Sequence, residues 1–98
     1  MTIKGVTENE QIIIDNILNP FKEKYEFYYY GSRVKGDYRF LSDLDILIKS
    51  DGEVSLDDVD TLKTMFDNSK LPHVVNFTDY KNIDDKFYNL IKDDLIKA

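Results

Sequence analysis

Two aspartates one residue apart are the strongest chemical feature of this sequence. Asp43 and Asp45 lie in the stretch DLDILIK, residues 43–49, whose apolar and β-branched side chains predict a strand. Because side chains alternate along a strand, the two carboxylates share one face, with Cα atoms about 6.6 Å apart. Unpaired carboxylates at this spacing repel each other, and a divalent cation between them relieves the repulsion. Mg²⁺ prefers carboxylate, water and phosphate oxygens, so the pair is a candidate magnesium site.

A glycine–serine turn is the second half of the pattern. Gly31 and Ser32 directly follow the aromatic stretch of residues 25–30, which predicts another strand. Glycine lets backbone N–H groups approach an anion closely, the serine hydroxyl adds a donor, and a helix beginning here would favour negative charge. Arg33 and Lys35 add positive charge beside the turn. The turn is a candidate phosphate cradle opposite the metal site, and the two together would hold a metal–nucleoside triphosphate.

Neither half of the pattern is specific alone. Aspartate pairs are common on solvated edges, and Gly-Ser is usually a plain turn. Here the spacing is G-S-x10-D-x-D, and strand-like residues precede the turn and surround the aspartates. Four residues stand in the structural contexts that their roles require, so we favour the functional interpretation.

The elements that must position these residues alternate between helices and strands. Thr7 and Glu10 form a capping-box pattern, and Ser55 can cap a second helix. The predicted order is a helix over residues 8–19, strands over 25–30 and 43–49, a helix after residue 55, a strand over 74–78 and a helix over 82–97. On the strand with the aspartates, the core-facing side chains are predicted to be Leu44, Ile46 and Ile48, while Leu47 shares the acidic face. This order indicates an α/β (α+β) fold, a small mixed sheet with helices packed against it.

Length and composition limit the function further. The 98 residues fit a single domain, residues 1–98, and no apolar run approaches the roughly 20 residues of a membrane span. We expect a cytoplasmic protein, because the first eleven residues lack the apolar stretch of a signal peptide. There is no cysteine, and the one histidine, His73, is predicted to have a surface or strand-end role. The net charge of −6 argues against direct nucleic-acid binding.

The signature region resembles a known family. GSRVKGDYRFLSDLDILI, residues 31–48, is similar to the motif of the minimal nucleotidyltransferases of the DNA polymerase β-like nucleotidyltransferase superfamily, and residues 71–91 resemble its third strand and final helix. The resemblance implies that fold, ATP as donor, Mg²⁺ as cofactor and nucleotidyl transfer to a hydroxyl of a protein or small molecule. It also implies a partner, a helical HEPN-type ribonuclease toxin for which the nucleotidyltransferase is the antitoxin.

The resemblance assigns roles to individual residues. Gly31 and Ser32 match the family's triphosphate-binding Gly-Ser, with Arg33 and Lys35 as lesser candidates beside them. The first two metal-binding carboxylates match Asp43 and Asp45. The third carboxylate is expected on the third strand, in a V-D-x-x-D pattern, but this sequence reads VNFTD there.

The third position is therefore Asn76. Asp79 lies three residues later and should face the other side of a regular strand. The amide oxygen of Asn76 can ligate a metal, but it carries no charge and cannot accept a proton as a catalytic base. Two hypotheses remain open: an active transferase in which substrate or water supplies the base, and an impaired nucleotide-binding antitoxin that masks a helical partner.

Overall fold

The computed structural model describes residues 3–40 and 42–98. The helices are α1 (Glu8–Leu18), α2 (Ser32–Lys35), α3 (Leu56–Asp67) and α4 (Asp85–Ile91), with short 3-10 helices at Asn19–Phe21 and Tyr80–Asn82. The strands are β1 (Glu26–Tyr30), β2 (Leu44–Lys49), β3 (Val75–Asp79) and β4 (Ile96–Lys97). In the described ranges, every helix is too short or too polar to cross a membrane.

The strands form one mixed sheet of four strands in the order β3-β2-β1-β4. β1 pairs antiparallel with β2 and with β4, whereas β2 and β3 are parallel. A parallel pair requires a crossover connection, and α3 lies in the connection between β2 and β3. The predicted α+β class, a small mixed sheet with helices packed against it, is confirmed.

Side-chain alternation builds the larger hydrophobic core on one face of the sheet. The strand residues that face this core are Phe27, Tyr29, Leu44, Ile46 and Ile48, each at most 1% exposed. They pack with buried residues of the two longest helices, among them Ile14, Leu18, Leu62 and Phe66. The core-facing positions predicted for the acidic strand are therefore confirmed.

The opposite face carries a smaller cluster beneath α4. Tyr30, Leu47 and Ile91 are buried there, and Phe87 packs against them. Leu47 shares this face with Asp45, as the alternation predicts, and it is fully buried. This face is therefore apolar under α4 and polar towards the N-terminal end of β2.

Both predicted helix caps are present. The Thr7 side chain accepts a hydrogen bond from Glu10 N at 3.2 Å, and the Glu10 carboxylate accepts one from Thr7 N at 2.9 Å. This capping box begins α1 at the predicted residue. Ser55 accepts from Asp58 N at 3.4 Å and begins α3 in the same way.

The C-terminal segment differs from its prediction. One helix was expected over residues 82–97, but α4 begins only at Asp85, after its cap Asp84, and it ends at Ile91, where a turn leads into β4. Tyr29 of β1 lies opposite Ile96, and Ala98 N donates to Phe27 O at 2.8 Å. A continued helix would leave this edge of β1 without main-chain partners. Sheet pairing therefore outweighs the local helical pattern, and the prediction is wrong beyond Ile91.

Tyr25 ties the start of β1 to the start of α3. Its ring is 5% exposed, and its hydroxyl donates to Asp58 Oδ2 at 2.5 Å. The same hydroxyl accepts a hydrogen bond from Ser55 N at 3.2 Å. One phenol group thus satisfies a carboxylate and a backbone N–H in the first turn of α3, and it holds that helix against the sheet.

Removing this hydroxyl should destabilise the fold. We expect Tyr25→Phe to lower the free energy of unfolding by about 1.5–3 kcal/mol, the usual contribution of a hydrogen bond to a charged group. Urea unfolding followed by circular dichroism measures the change. Tyr88→Phe is the control, because the Tyr88 hydroxyl makes no hydrogen bond to another residue in the described ranges. Equal losses of stability in the two variants would contradict this role of Tyr25.

Candidate active site

Parallel pairing of β2 with β3 brings three polar side chains together. Asp45 lies opposite Asn76, and one step earlier Leu44 N donates to Val74 O at 2.8 Å. Asp43 immediately precedes β2. The Asn76 amide Nδ2 donates to Asp43 Oδ2 at 2.7 Å and to Asp45 Oδ1 at 3.4 Å. We call Asp43, Asp45 and Asn76 the carboxylate cluster.

Alternation along β3 explains why Asn76 faces the two aspartates. Val75 and Phe77 pack into the larger core on the other side of the sheet. Asn76 and Thr78 therefore project from the face that carries the carboxylates. A slip of one residue would turn Val75 out of the core and bury Asn76 in it, so the core itself sets the register.

Gly31 follows the last residue of β1 and lies directly against Asp45. Tyr30 pairs with Asp45, and Gly31 has a φ of +87°, a conformation that L side chains rarely adopt. A β-carbon at residue 31 would overlap Asp45 Oδ2. Only glycine fits at residue 31, because the backbone has a positive φ there and because the Asp45 carboxylate leaves no room for a side chain. The predicted Gly-Ser turn and the aspartate pair are therefore neighbours in the structure.

The surroundings of Asp45 disfavour an isolated negative charge. Burial raises the pKa of its carboxyl group, the hydrogen bond from Asn76 opposes this, and the charge of Asp43 raises the pKa further. Asp43 and Asn76 are exposed, so solutes reach the cluster from solvent. Its two carboxylates are the ligand type that Mg²⁺ takes, whereas Asn76 turns its amide nitrogen towards them and would have to rotate its amide to offer oxygen to a cation. The cluster therefore fits a magnesium ion, whose charge would offset the crowding of negative charge.

The third carboxylate position is occupied by Asn76 alone. Across residues 3–40 and 42–98, no three His, Cys, Asp or Glu side chains are close enough to share a metal ion. Asp79 faces away from the cluster, as predicted, on the side of Val75 and Phe77. Its carboxylate accepts a hydrogen bond from Lys81 N at 3.0 Å and caps the 3-10 helix that follows β3. It does not replace the missing carboxylate.

The two cations beside the turn have different surroundings. The Arg33 side chain, predicted as a lesser candidate for neutralising phosphates, is 2% exposed and donates to main-chain carbonyls. A guanidinium in this position has little access to a phosphate at the surface. Lys35 is exposed, and its Nζ lies 3.7 Å from Asp94 Oδ2. Lys35 therefore remains the accessible candidate.

Two further residues extend the face of the carboxylate cluster. The hydroxyls of Tyr30 and Thr78 lie 3.0 Å apart, and burial raises the pKa of Tyr30. The Tyr30 ring packs edge-on against Phe87 of α4. Thr78 belongs to no sequence motif of the site, although the period of two from Asn76 places it on the same face. These hydroxyls adjoin the cluster on the side covered by α4.

The raised pKa of Asp45 predicts that its ionised carboxylate destabilises the metal-free fold. The folded state binds this proton more tightly than the unfolded state does, so ionisation of Asp45 lowers stability as pH rises through the folded pKa. Without divalent cations at pH 7, we expect Asp45→Asn to melt a few degrees above wild type. Below the pKa values of both states the difference should vanish. Thermal melts in chelator across this pH range provide the measurement, and a lower melting temperature for Asp45→Asn at pH 7 would contradict the prediction.

Comparison with known proteins agrees with this geometry. The sequence pattern of the family described as "Nucleotidyltransferase domain" matches residues 12–98. A Haemophilus influenzae protein described as "Probable protein adenylyltransferase MntA" is 32% identical over 87 residues, which cover 89% of this chain and 76% of the relative. The mixed sheet with its flanking helices is consistent with the polymerase β-like nucleotidyltransferase fold. The match to the family pattern spans the Gly-Ser turn and the whole carboxylate cluster, and the chain belongs to the nucleotidyltransferase domain family.

Proposed function

We propose that this protein is an ATP- and Mg²⁺-dependent adenylyltransferase that transfers AMP to a hydroxyl group of a protein or a small molecule. The observation that carries the proposal is the contact of the Gly31 turn with Asp45, beside Asp43. Phosphate-binding and metal-binding groups must meet in this way to hold a nucleoside triphosphate and its cation. The relative described as a protein adenylyltransferase supports AMP as the transferred group and a protein as the acceptor.

Each residue of the site has a distinct role in this proposal. Asp43 and Asp45 would hold Mg²⁺, which when bound polarises phosphate oxygens and neutralises their charge. Gly31 lets the backbone approach the triphosphate, and the Ser32 hydroxyl donates to it. Lys35 is the accessible cation for the remaining phosphate charge. In the transfer, the acceptor oxygen bonds to the α-phosphorus, the bond from that phosphorus to the pyrophosphate oxygen breaks, and the hydroxyl proton passes to substrate or water.

Asn76 supports a second candidate function. A side-chain amide cannot accept the proton that the acceptor hydroxyl loses, and it adds no negative charge to the metal site. General-base catalysis contributes typically about 10²–10⁴-fold to a rate. The alternative is therefore a catalytically impaired antitoxin that binds nucleotide and masks a helical partner. Measured transfer to an acceptor separates these two functions.

We further propose a HEPN-type helical protein as the partner and the cytoplasm as the location. The resemblance to minimal nucleotidyltransferases supports this partner. We also propose that residues 1–98 form one domain, because the chain builds a single sheet with a hydrophobic cluster on each face. The acidic balance of the chain supports a protein rather than a nucleic acid as the acceptor. Co-expression with a HEPN-type protein and co-purification, followed by transfer from labelled ATP, test both partner and acceptor.

Nucleotide and metal binding test the roles proposed for Asp43 and Asp45. We expect the double variant Asp43→Asn, Asp45→Asn to lose Mg²⁺-dependent ATP binding, because both charged oxygen ligands are removed. Isothermal titration calorimetry in Mg²⁺ measures the affinity. The double variant Asp60→Asn, Asp67→Asn removes the same charge from exposed positions of α3 and should bind as wild type does. Equal affinities in wild type and the Asp43, Asp45 variant would exclude this metal site.

A substitution at the third carboxylate position tests the role of Asn76. Asn76→Asp places a charge beside Asp43 and Asp45, where it can bind the cation more tightly and accept a proton. We expect AMP transfer at saturating Mg²⁺ to rise at least about tenfold, within the range of general-base effects. Three neighbouring carboxylates repel one another without metal, so we also expect a lower melting temperature in chelator.

Asn82→Asp is the matched control for this gain. It adds the same charge at an exposed residue away from the cluster and should leave the transfer rate unchanged. A fast wild type with an equally fast Asn76→Asp variant would show that Asn76 is competent as it stands. That result would remove the impaired antitoxin as an alternative.

A further inference from the structure

Arg33 is buried at the point where three segments of the chain meet. Its Nη1 donates to Gly5 O at 2.6 Å, and its Nε donates to Ser42 O at 3.0 Å. Its Nη2 lies 3.1 Å from Phe40 O and 3.3 Å from Arg39 O. These contacts join α2 to the segment before α1 and to the residues that lead into Asp43.

A fifth contact reaches the approach to β3. Arg33 Nη2 lies 3.0 Å from His73 Nδ1, and His73 Nε2 lies 3.1 Å from Glu10 Oε2. His73 is three residues before Asn76, so the same guanidinium touches both segments that carry the carboxylate cluster. His73 lies just before the start of β3, as predicted, but its side chain is only 7% exposed, and its imidazole links Arg33 to the capping box of α1.

The free-energy cost of burying the Arg33 guanidinium indicates the role of this residue. A buried cation is costly unless its hydrogen bonds are satisfied, and in the described part of the chain no carboxylate forms an ion pair with Arg33. Four carbonyls and an imidazole accept its protons instead. A planar guanidinium donates in several fixed directions at once, which an ammonium group on a flexible stem does not reproduce. The residue is therefore suited to hold separate main-chain segments at set distances.

The packing around Arg33 is equally restrictive. A β-carbon on Gly5 would lie 2.5 Å from Arg33 Cβ, so glycine allows the N-terminal segment to pass this closely. Gly5 N also donates to Arg33 O at 2.9 Å. The Arg33 guanidinium carbon lies 5.1 Å from the centre of the Tyr38 ring, which covers it. Main chain and side chain of Arg33 are thus both fixed one residue after Ser32.

We propose that Arg33 is a positioning residue for nucleotidyl transfer. It sets the distance between the Gly31–Ser32 turn, from which its own helix begins, and the two segments that carry Asp43 and Asn76. This role rests on the proposed function, and it replaces the direct phosphate contact expected for Arg33 from the sequence. Loss of the guanidinium should displace the metal ligands relative to the turn while the hydrophobic core remains.

The kinetic test compares Arg33→Met and the milder Arg33→Lys with wild type. AMP transfer from labelled ATP is measured against Mg²⁺ concentration, and circular dichroism gives the folded fraction of each sample. We expect turnover per folded molecule to fall about 100-fold in Arg33→Met, the scale reported for misplacement by about 1 Å. The half-saturating Mg²⁺ concentration should rise about tenfold, as for losses of groups that orient metal ligands. Arg33→Lys should not restore either value.

Two control variants separate positioning from general stability. Tyr25→Phe removes buried hydrogen bonds far from the cluster and should keep wild-type turnover and Mg²⁺ dependence per folded molecule. Arg39→Met removes an exposed arginine from the segment that Arg33 holds and should keep the same Mg²⁺ dependence. Wild-type values for both Arg33 variants would overturn the proposal.

Amide hydrogen exchange supplies a readout that does not need activity. Ser42 N donates to Arg39 O at 3.0 Å, and Leu44 N donates to Val74 O at 2.8 Å. We expect exchange at Ser42 and Leu44 to accelerate at least about tenfold in Arg33→Lys and to stay unchanged in Tyr25→Phe, after correction for global stability. If wild type neither binds Mg²⁺ nor transfers AMP, the proposed function fails. Unchanged amide exchange in Arg33→Lys would overturn the positioning role of Arg33, whatever the outcome of the activity assay.

Discussion

The parallel register between β2 and β3 is the constraint on which the candidate site depends. It places Asn76 beside Asp45 and brings Asp43 within 2.7 Å of the same amide. The register is set on the other face of the sheet, where Leu44, Ile46 and their neighbours are buried in the core. Chemistry on one face is therefore specified by hydrophobic packing on the other, because a strand that slips by one residue exchanges its two faces.

The site concentrates polar groups that are costly for the fold. Asp45 carries a raised pKa next to a second carboxylate, and Arg33 buries a charge with no ionic partner among the described residues. The two groups are satisfied differently. Each guanidinium nitrogen of Arg33 has at least one hydrogen-bond acceptor. Among the described residues, the side-chain donor to the two carboxylates is the neutral Asn76 amide, which leaves much of their charge uncompensated. Uncompensated charge at an accessible position is the physical basis for expecting a cation there.

Asn76 connects the stability of the cluster with its chemistry. In the absence of a cation its amide donates to both aspartates and reduces their repulsion. An aspartate at residue 76 would add repulsion instead, but it would also supply the charge and proton acceptor that a transfer reaction uses. The same substitution therefore has opposite effects on the metal-free fold and on the proposed reaction, since the sign of its contribution depends on whether a cation is bound.

Local features of the sequence determined much of this protein. The capping box at Thr7, the alternation along DLDILIK and the glycine at residue 31 act through neighbours a few residues away, so they predict α1, the shared face of the aspartates and the turn. Only the tertiary structure decided the rest. Residues 92–97 follow a helical pattern but form a turn and β4, because β1 offers main-chain partners that a local pattern cannot reveal. Arg33 is charged and stands beside a phosphate-binding motif, yet its partners at residues 5, 40, 42 and 73 meet only when the chain is folded, and they bury it.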